Sequence, residues 1–216
     1  MNAEDLSTGR RTYDSSGRQA QARATRARIR DAAARLFVEQ GYAGTSIAAI
    51  AKAAGVASQT VYGAFGAKAA ILKEAVEVTL AGGDEPIPVF ERADAQRVVE
   101  AGTPDAAAAA LAHQCRLIFD RTADLLHAAE VAALDEPEIA VMSQRGAEGR
   151  LIDMGRTIDA LADKGFLRDG VSAEQATDVV WALSSPDVYR SCTRHRGWTP
   201  DAYERWLRDA VGLVIG

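Results

Sequence analysis

Ser58, Gln59, Thr60 and Tyr62 lie within one short stretch. Their hydroxyl, amide and phenol groups are the kind that meet base edges and phosphates when they lead a helix into the major groove. The neighbouring residues define such a helix, because Val61 and Phe65 are spaced to face inward and leave the four polar residues on the outward and leading face. Upstream, Ile47, Ile50, Ala51 and Ala54 recur at i, i+3, i+4 and i+7, the period of a helix with one buried stripe. Thr45 or Ser46 stands at its N-cap position, and Gly55 supplies the left-handed backbone that ends it. Val56 then fills the angle before a second helix that starts at Ala57 or Ser58. Two short helices joined by a tight Gly-containing turn form a helix-turn-helix unit, whose second helix reads DNA through its first residues.

A helix from Gln19 to Gln40 is predicted to complete a three-helix core, with Ile29, Ala32, Ala33, Leu36 and Phe37 on one stripe and Gly41 as its stop. Its Arg23, Arg26 and Arg30 fall on other faces, where they meet phosphate or solvent. Residues 1–18 are polar, with Arg10, Arg11 and Arg18, and read as a disordered basic arm without a base-reading role. The chain has 216 residues and 48% hydrophobic content; its alanine runs favour helix over sheet, so an all-α fold is expected. Its net charge of −5 conceals a split, since residues 1–68 hold ten Lys/Arg against five Asp/Glu and the remainder fifteen against twenty-five. The basic end is the end with the helix-turn-helix, as phosphate neutralisation requires. Cys115 and Cys192 have no paired spacing and read as reduced packing residues. With no leader-like or membrane-spanning segment, a cytoplasmic protein is expected.

The run TRARIRDAAARLFVEQGYAGTSIAAIAKAAGVASQTVYGAFGAKAAIL, Thr25 to Leu72, resembles the DNA-binding domain of the TetR family of transcriptional repressors. Ile29, Ala32, Ala33, Leu36, Phe37, Gly41, Tyr42, Thr45, Ile50, Ala51, Ala54, Gly55, Val56, Thr60, Tyr62, Phe65, Lys68 and Leu72 fall at the family's spacings. The resemblance implies a homodimer whose recognition helices enter successive major grooves of a palindromic operator, and a helical body that binds a small-molecule effector. Position by position, it implies phosphate contacts from Thr45, Lys68 and Tyr62, and base contacts from Ser58, Gln59 and Thr60, with Gln59 able to pair with adenine in two-pronged fashion. Ser46 and Arg26 complete the expected DNA-contacting set. Ala57 departs from the pattern where a capping Ser or Thr is common, which makes Ser58 an alternative cap, and Gly63 offers no side chain where a larger one is usual. GAFGAK is not a phosphate loop, for it lacks the spacing and the trailing Ser/Thr.

From Ala67 to about Leu80 a fourth helix is expected to link the DNA-binding domain, 19–66, to a ligand-binding and dimerisation domain, 67–216. Gly82, Gly83, Pro86 and Pro88 interrupt the chain after it. Body helices are predicted at Pro104–Arg121, Ala123–Leu134, Pro137–Lys164, Ala173–His195 and Pro200–Ile215. Pro186 forces a bend that Ser184 and Ser185 cap, and Thr199 and Pro200 start the last helix. His113, Arg116, His127 and Arg145 are the polar candidates for holding a small molecule, and Phe119 and Trp181 complete that set. The histidines are scattered, so neither metal site nor cofactor is expected. The run Trp181–Leu207 resembles the last two helices of one branch of the family, which implies a four-helix dimer interface. Its apolar residues are Val179, Val180, Leu183, Val188, Trp206, Leu207, Val211 and Val214, although a monomeric core would use the same residues.

The function expected is therefore a homodimeric repressor, released from its double-stranded DNA operator by a small-molecule effector. The chain carries no nucleophile elbow, dinucleotide fingerprint or clustered metal ligands, and is not expected to be an enzyme. Two rival readings are a small-molecule-binding protein or enzyme with a vestigial DNA domain, and a repressor without ligand control.

Overall fold

The computed structural model describes residues 15–82 and 92–216, which form ten α-helices and no strand; Leu167 and Ile215 make one isolated bridge. Helix α1 (Ser15–Gly44) begins before the expected Gln19 and is interrupted at Gly41, whose φ of 73° only glycine adopts readily. Helix α2 (Ile47–Ala54) is capped by Ser46, whose Oγ accepts from the Ala49 amide at 3.1 Å, and ends at Gly55 with a φ of 66°. Helix α3 (Ser58–Phe65) follows Ala57, and α4 (Lys68–Ala81) follows Ala67, neither with a side-chain cap. Residues 1–14 of the expected arm, and the boundary residues Gly83, Pro86 and Pro88, lie outside the described residues.

Helix α5 (Ala93–Glu100) falls where only an interruption was expected, and it buries Ala95 and Val98. Helix α6 (Pro104–Ala132) is continuous where two helices were predicted. Its Thr122 is buried and donates back to Ile118 O at 2.8 Å, so the hydroxyl is satisfied within the helix rather than breaking it. Helix α7 (Pro137–Asp163) and α8 (Ala173–Leu183) follow, α8 opening on a capping box between Ser172 and Gln175. Ser185 caps α9 (Pro186–Arg190), which runs into a π-helical turn at Ser191–His195, and Thr199 caps α10 (Pro200–Val211).

Two apolar clusters hold these helices. The first joins Ile29, Phe37, Ile50, Val61, Leu72 and their neighbours on α1–α4 to Leu125, Ala128, Ala129 and Ala132 of α6. The second joins the first half of α6 to Val98, Ile158, Leu161, Val180, Tyr189, Tyr203, Leu207 and Val211. Each fully buried large side chain contributes roughly 1.5–3 kcal/mol. Helix α6 thus belongs to both clusters, and its alanines let α1 and α4 approach its backbone closely. A hydrogen bond from Tyr42 OH to Glu136 Oε1 (3.1 Å) and bonds from Arg121 to the Thr79 and Leu80 carbonyls fasten the same seam. No helix among the described residues is long and apolar enough to cross a membrane.

Candidate functional site

The first turn of α3 presents Ser58, Gln59 and Thr60 to solvent, and Tyr62 is 51% exposed beside them. Val61 and Phe65 are buried on the opposite side, so the helix cannot rotate this polar edge inward without exposing its anchors. Ala57 takes the cap position without a side-chain bond, which leaves the Ser58 hydroxyl outside the cap. First-turn amides of a helix have no intrahelical acceptor, so the leading edge of α3 offers donors to an anion as well as side chains to a groove.

The residues behind this edge act differently from expectation. Thr45 is 1% exposed, and its hydroxyl lies 2.8 Å from Gly41 O and 3.1 Å from Leu36 O. Its side chain therefore latches the α1–α2 turn and is not placed to bond phosphate. Arg26 is likewise occupied internally: Nε donates to Glu74 Oε2 at 2.7 Å, Nη1 donates to Ala64 O, and the guanidinium lies 4.0 Å from the centre of the Phe65 ring. It ties α1 to α3 and α4 through contacts that the sequence did not indicate. Lys68 donates to Tyr42 O (2.8 Å) and Thr45 O (3.1 Å) and sits 3.9 Å from the Tyr42 ring centre. An ammonium has three donors, so one remains for phosphate after these two bonds. Ser46 is exposed; its oxygen serves the cap while its hydroxyl proton stays available.

In the body, the six effector candidates are not brought together. His113 pairs with Glu204 (3.0 Å) and Arg116 with Asp201 (2.9 Å) on the outer seam of α6 and α10, and Arg145 is exposed on α7. Phe119 is buried against Tyr189, and His127 lies near Glu130 and Asp187. Histidine and glutamate at 127 and 130 do form a His-x-x-Glu pair one turn apart, which the expectation of no metal site passed over. A surface cleft of about 530 Å³ beside the C-terminus, between Thr103, Arg168 and Arg208, is lined by none of the six.

Trp181 adjoins a polar centre inside the body, and its partner Arg150 is a residue the sequence did not single out. The Arg150 guanidinium lies 4.4 Å from the centre of the Trp181 ring and donates through Nη1 to Trp181 O (2.7 Å) and Ser184 O (3.2 Å). It pairs with no carboxylate among the described residues, and burial pushes it below its ordinary arginine range. Cys115 is buried nearby, its thiol pushed up to about 12 by desolvation. Tyr203 OH and Trp181 Nε1 are both buried without a hydrogen-bond partner among the described residues. Both unsatisfied groups can donate, and they lie beside an arginine that has no carboxylate in direct contact. An orphaned buried hydroxyl costs about 1–3 kcal/mol. Tyr203→Phe is therefore expected to stabilise the protein by about 1 kcal/mol, a rise of roughly 2–4 °C in thermal unfolding; a fall in the transition temperature would show that the hydroxyl is satisfied in solution.

Residues 29–75 match the profile of the bacterial regulatory proteins of the tetR family. No curated protein matches the chain in sequence. Among solved structures, a protein described as a transcriptional regulator of Saccharomonospora viridis, in complex with choline, superposes with a TM-score of 0.71 at 20% identity, over 90% of this chain and 99% of that one. A structure described as a TetR-family regulator from Mesorhizobium loti gives 0.68 at 20% identity, over 89% and 96%. FadR of Bacillus subtilis, in complex with stearoyl-CoA, gives 0.65 at 19% identity, over 86% and 96%. The fold of this chain is that of TetR-family transcriptional regulators.

Proposed function

We propose that this chain, a tetR-family N-terminal domain set in the fold of TetR-type regulators, is a homodimeric repressor that binds a palindromic DNA operator and leaves it when an anionic effector enters its body. The observation that carries the DNA reading is the exposed Ser58–Gln59–Thr60 edge, held by buried Val61 and Phe65 and backed by a basic N-terminal end. Dimerisation supplies the second recognition helix that a palindrome needs, at a separation of about 34–36 Å or one helical turn.

We place the dimer surface on α7 and α8 rather than on the last helix. Leu207 and Val211 are fully buried within the protomer and Val214 nearly so, whereas the outward side of α10 carries Arg205, Arg208 and Asp209. Four of the exposed large apolar residues, Val141, Leu151, Ile152 and Val179, lie on α7 and α8, which pack against each other; Leu134 and Leu213 are exposed elsewhere. Gly146 and Gly149 stand mid-helix on α7, with nothing within 4 Å of where a Cβ would be. Glycine inside a helix costs about 1 kcal/mol relative to alanine, a cost that close approach of a partner helix offsets.

Effector class follows from the polar centre. The relatives of similar fold bind ligands of opposite sign, a choline cation in one and an anionic acyl-CoA in another. Arg150, with Nε and Nη2 unengaged, and the unpartnered donors of Trp181 and Tyr203 select an anion rich in acceptors. On a duplex selected from a random pool, decanoate or stearoyl-CoA is expected to lower DNA affinity at least tenfold, and decanol and choline to have no effect. Arg150→Met keeps the aliphatic stem and removes a buried charge, so it is expected to bind DNA normally and ignore the anions. Release by choline, or an undiminished anion response in Arg150→Met, would contradict this assignment.

A further inference from the structure

The face that α6 turns toward α9 is a ladder of polar rungs. Asp120 accepts from Tyr189 OH at 2.9 Å. One turn on, Asp124 takes both Arg190 (3.1 Å) and Arg194 (2.6 Å), so its carboxylate is fully answered. At the next rung the pairing fails. His127 and Glu130 of α6 meet Asp187 in the first turn of α9, and one ligand atom from each lies within 4.8 Å of the other two. Two carboxylates face each other beside an imidazole, and none of the three side chains makes a hydrogen bond or ion pair with another described residue. Arg190 and Arg150 act on Glu130 and Asp187 through their charges only, without direct contact, and Arg190 is already bonded to Asp124. Like charges at this distance repel unless a cation sits between them.

We propose that His127, Glu130 and Asp187 form a binding site for a divalent first-row transition-metal ion of the zinc class. One imidazole nitrogen and two carboxylate oxygens, with no thiolate, are a donor set for zinc and its neighbours, at bond lengths of about 2.0–2.2 Å. Calcium and magnesium call for more oxygen donors and no imidazole. Tetrahedral zinc places its ligand atoms roughly 3.3 Å apart. The exposed Glu130 and Asp187 side chains reach that spacing by torsion alone, without backbone movement. Three protein ligands leave a fourth position for water. His127 and Glu130, at i and i+3, hold the ion on one helix, and Asp187 joins it from the residue after Pro186, so an occupied site pins α9 to α6 just beyond the bend that follows Trp181 and Ser184.

The test is calorimetric titration of chelator-treated, full-length protein with Zn²⁺, and with Mg²⁺ for contrast, in the absence of DNA. The site predicts one Zn²⁺ per chain, a higher unfolding temperature in its presence, and no heat with Mg²⁺. His127→Gln and Asp187→Asn, each checked for native helicity, should weaken uptake at least tenfold. Substitution with Co²⁺ separates this site from the thiols, since nitrogen and oxygen ligands give no sulfur-to-metal charge-transfer band. No saturable Zn²⁺ uptake, uptake unchanged in His127→Gln, or a sulfur charge-transfer band would overturn the proposal.

Discussion

Ile152→Glu is expected to convert the protein from dimer to monomer, with a loss of operator affinity on the order of a hundredfold or more, because two linked half-site contacts become one. Ile152 is 56% exposed on α7, the helix that also carries exposed Val141 and Leu151 and the open positions at Gly146 and Gly149. In a twofold interface one substitution acts twice, so two carboxylates would enter an apolar contact with no cation to meet them. The body should survive, since Ile152 does not belong to either buried cluster of its own chain. Trp206→Glu supplies the contrast. Trp206 packs edge-on to Trp198 and tilts against Tyr203, with ring centres 6.0 and 5.8 Å away, so a charge there should unfold the body. Analytical sedimentation with circular dichroism separates the cases: a folded monomer for Ile152→Glu and lost helicity for Trp206→Glu. A dimeric Ile152→Glu protein would remove α7 from the interface.

Gln59→Ala and Lys68→Ala are expected to weaken DNA binding in two distinguishable ways. Gln59 leads α3 with its amide in solvent and no internal partner to lose, so its removal should leave stability untouched. It should cost roughly 1–3 kcal/mol on the preferred operator, relaxing preference at one base pair with the salt slope unchanged. Lys68 lies at the start of α4 and holds the Tyr42 and Thr45 carbonyls, which its loss leaves without their donor. Lys68→Ala should thus lower affinity about tenfold on every sequence, reduce the salt slope by about one and lower the unfolding temperature as well. Binding isotherms on the selected duplex and on a scrambled one, at two salt concentrations, read all these quantities. If Gln59→Ala keeps the full sequence preference, the reading edge lies elsewhere.

Much of the fold was legible because its signals are local. Gly41 and Gly55 end helices where their freedom at positive φ is needed, Ser185 before Pro186 and Thr199 before Pro200 restart them, and the 3.6-residue stripes at Ile50, Ala54, Val61 and Phe65 fix which faces turn inward. Helix α5 escaped because its short amphipathic stretch follows a Gly- and Pro-rich interruption and buries only Ala95 and Val98. The exposed edge of α3 was legible for the same local reason, while the roles of Thr45, Arg26 and Lys68 were not. Arg26 is set by Glu74 and Ala64, and Lys68 by Tyr42, partners remote in sequence that only the packed domain supplies. The polar centre of the body was hidden in a further sense. Arg150, Tyr203 and Cys115 come from three helices with no spacing in common, and His113, which drew notice instead, lies on the outer seam of α6 and α10. His127 gains a possible ligand role only when Asp187 arrives from beyond a bend.

Selection of bound duplexes from a random DNA pool by the purified full-length protein, at two salt concentrations, tests the central claim most directly. The account predicts a recovered palindrome whose half-sites lie about one helical turn apart, with the preference retained at the higher salt. A pool that stays random, held only by steeply salt-dependent binding, would contradict it, for the basic end would then attract DNA without the Ser58–Gln59–Thr60 edge reading it.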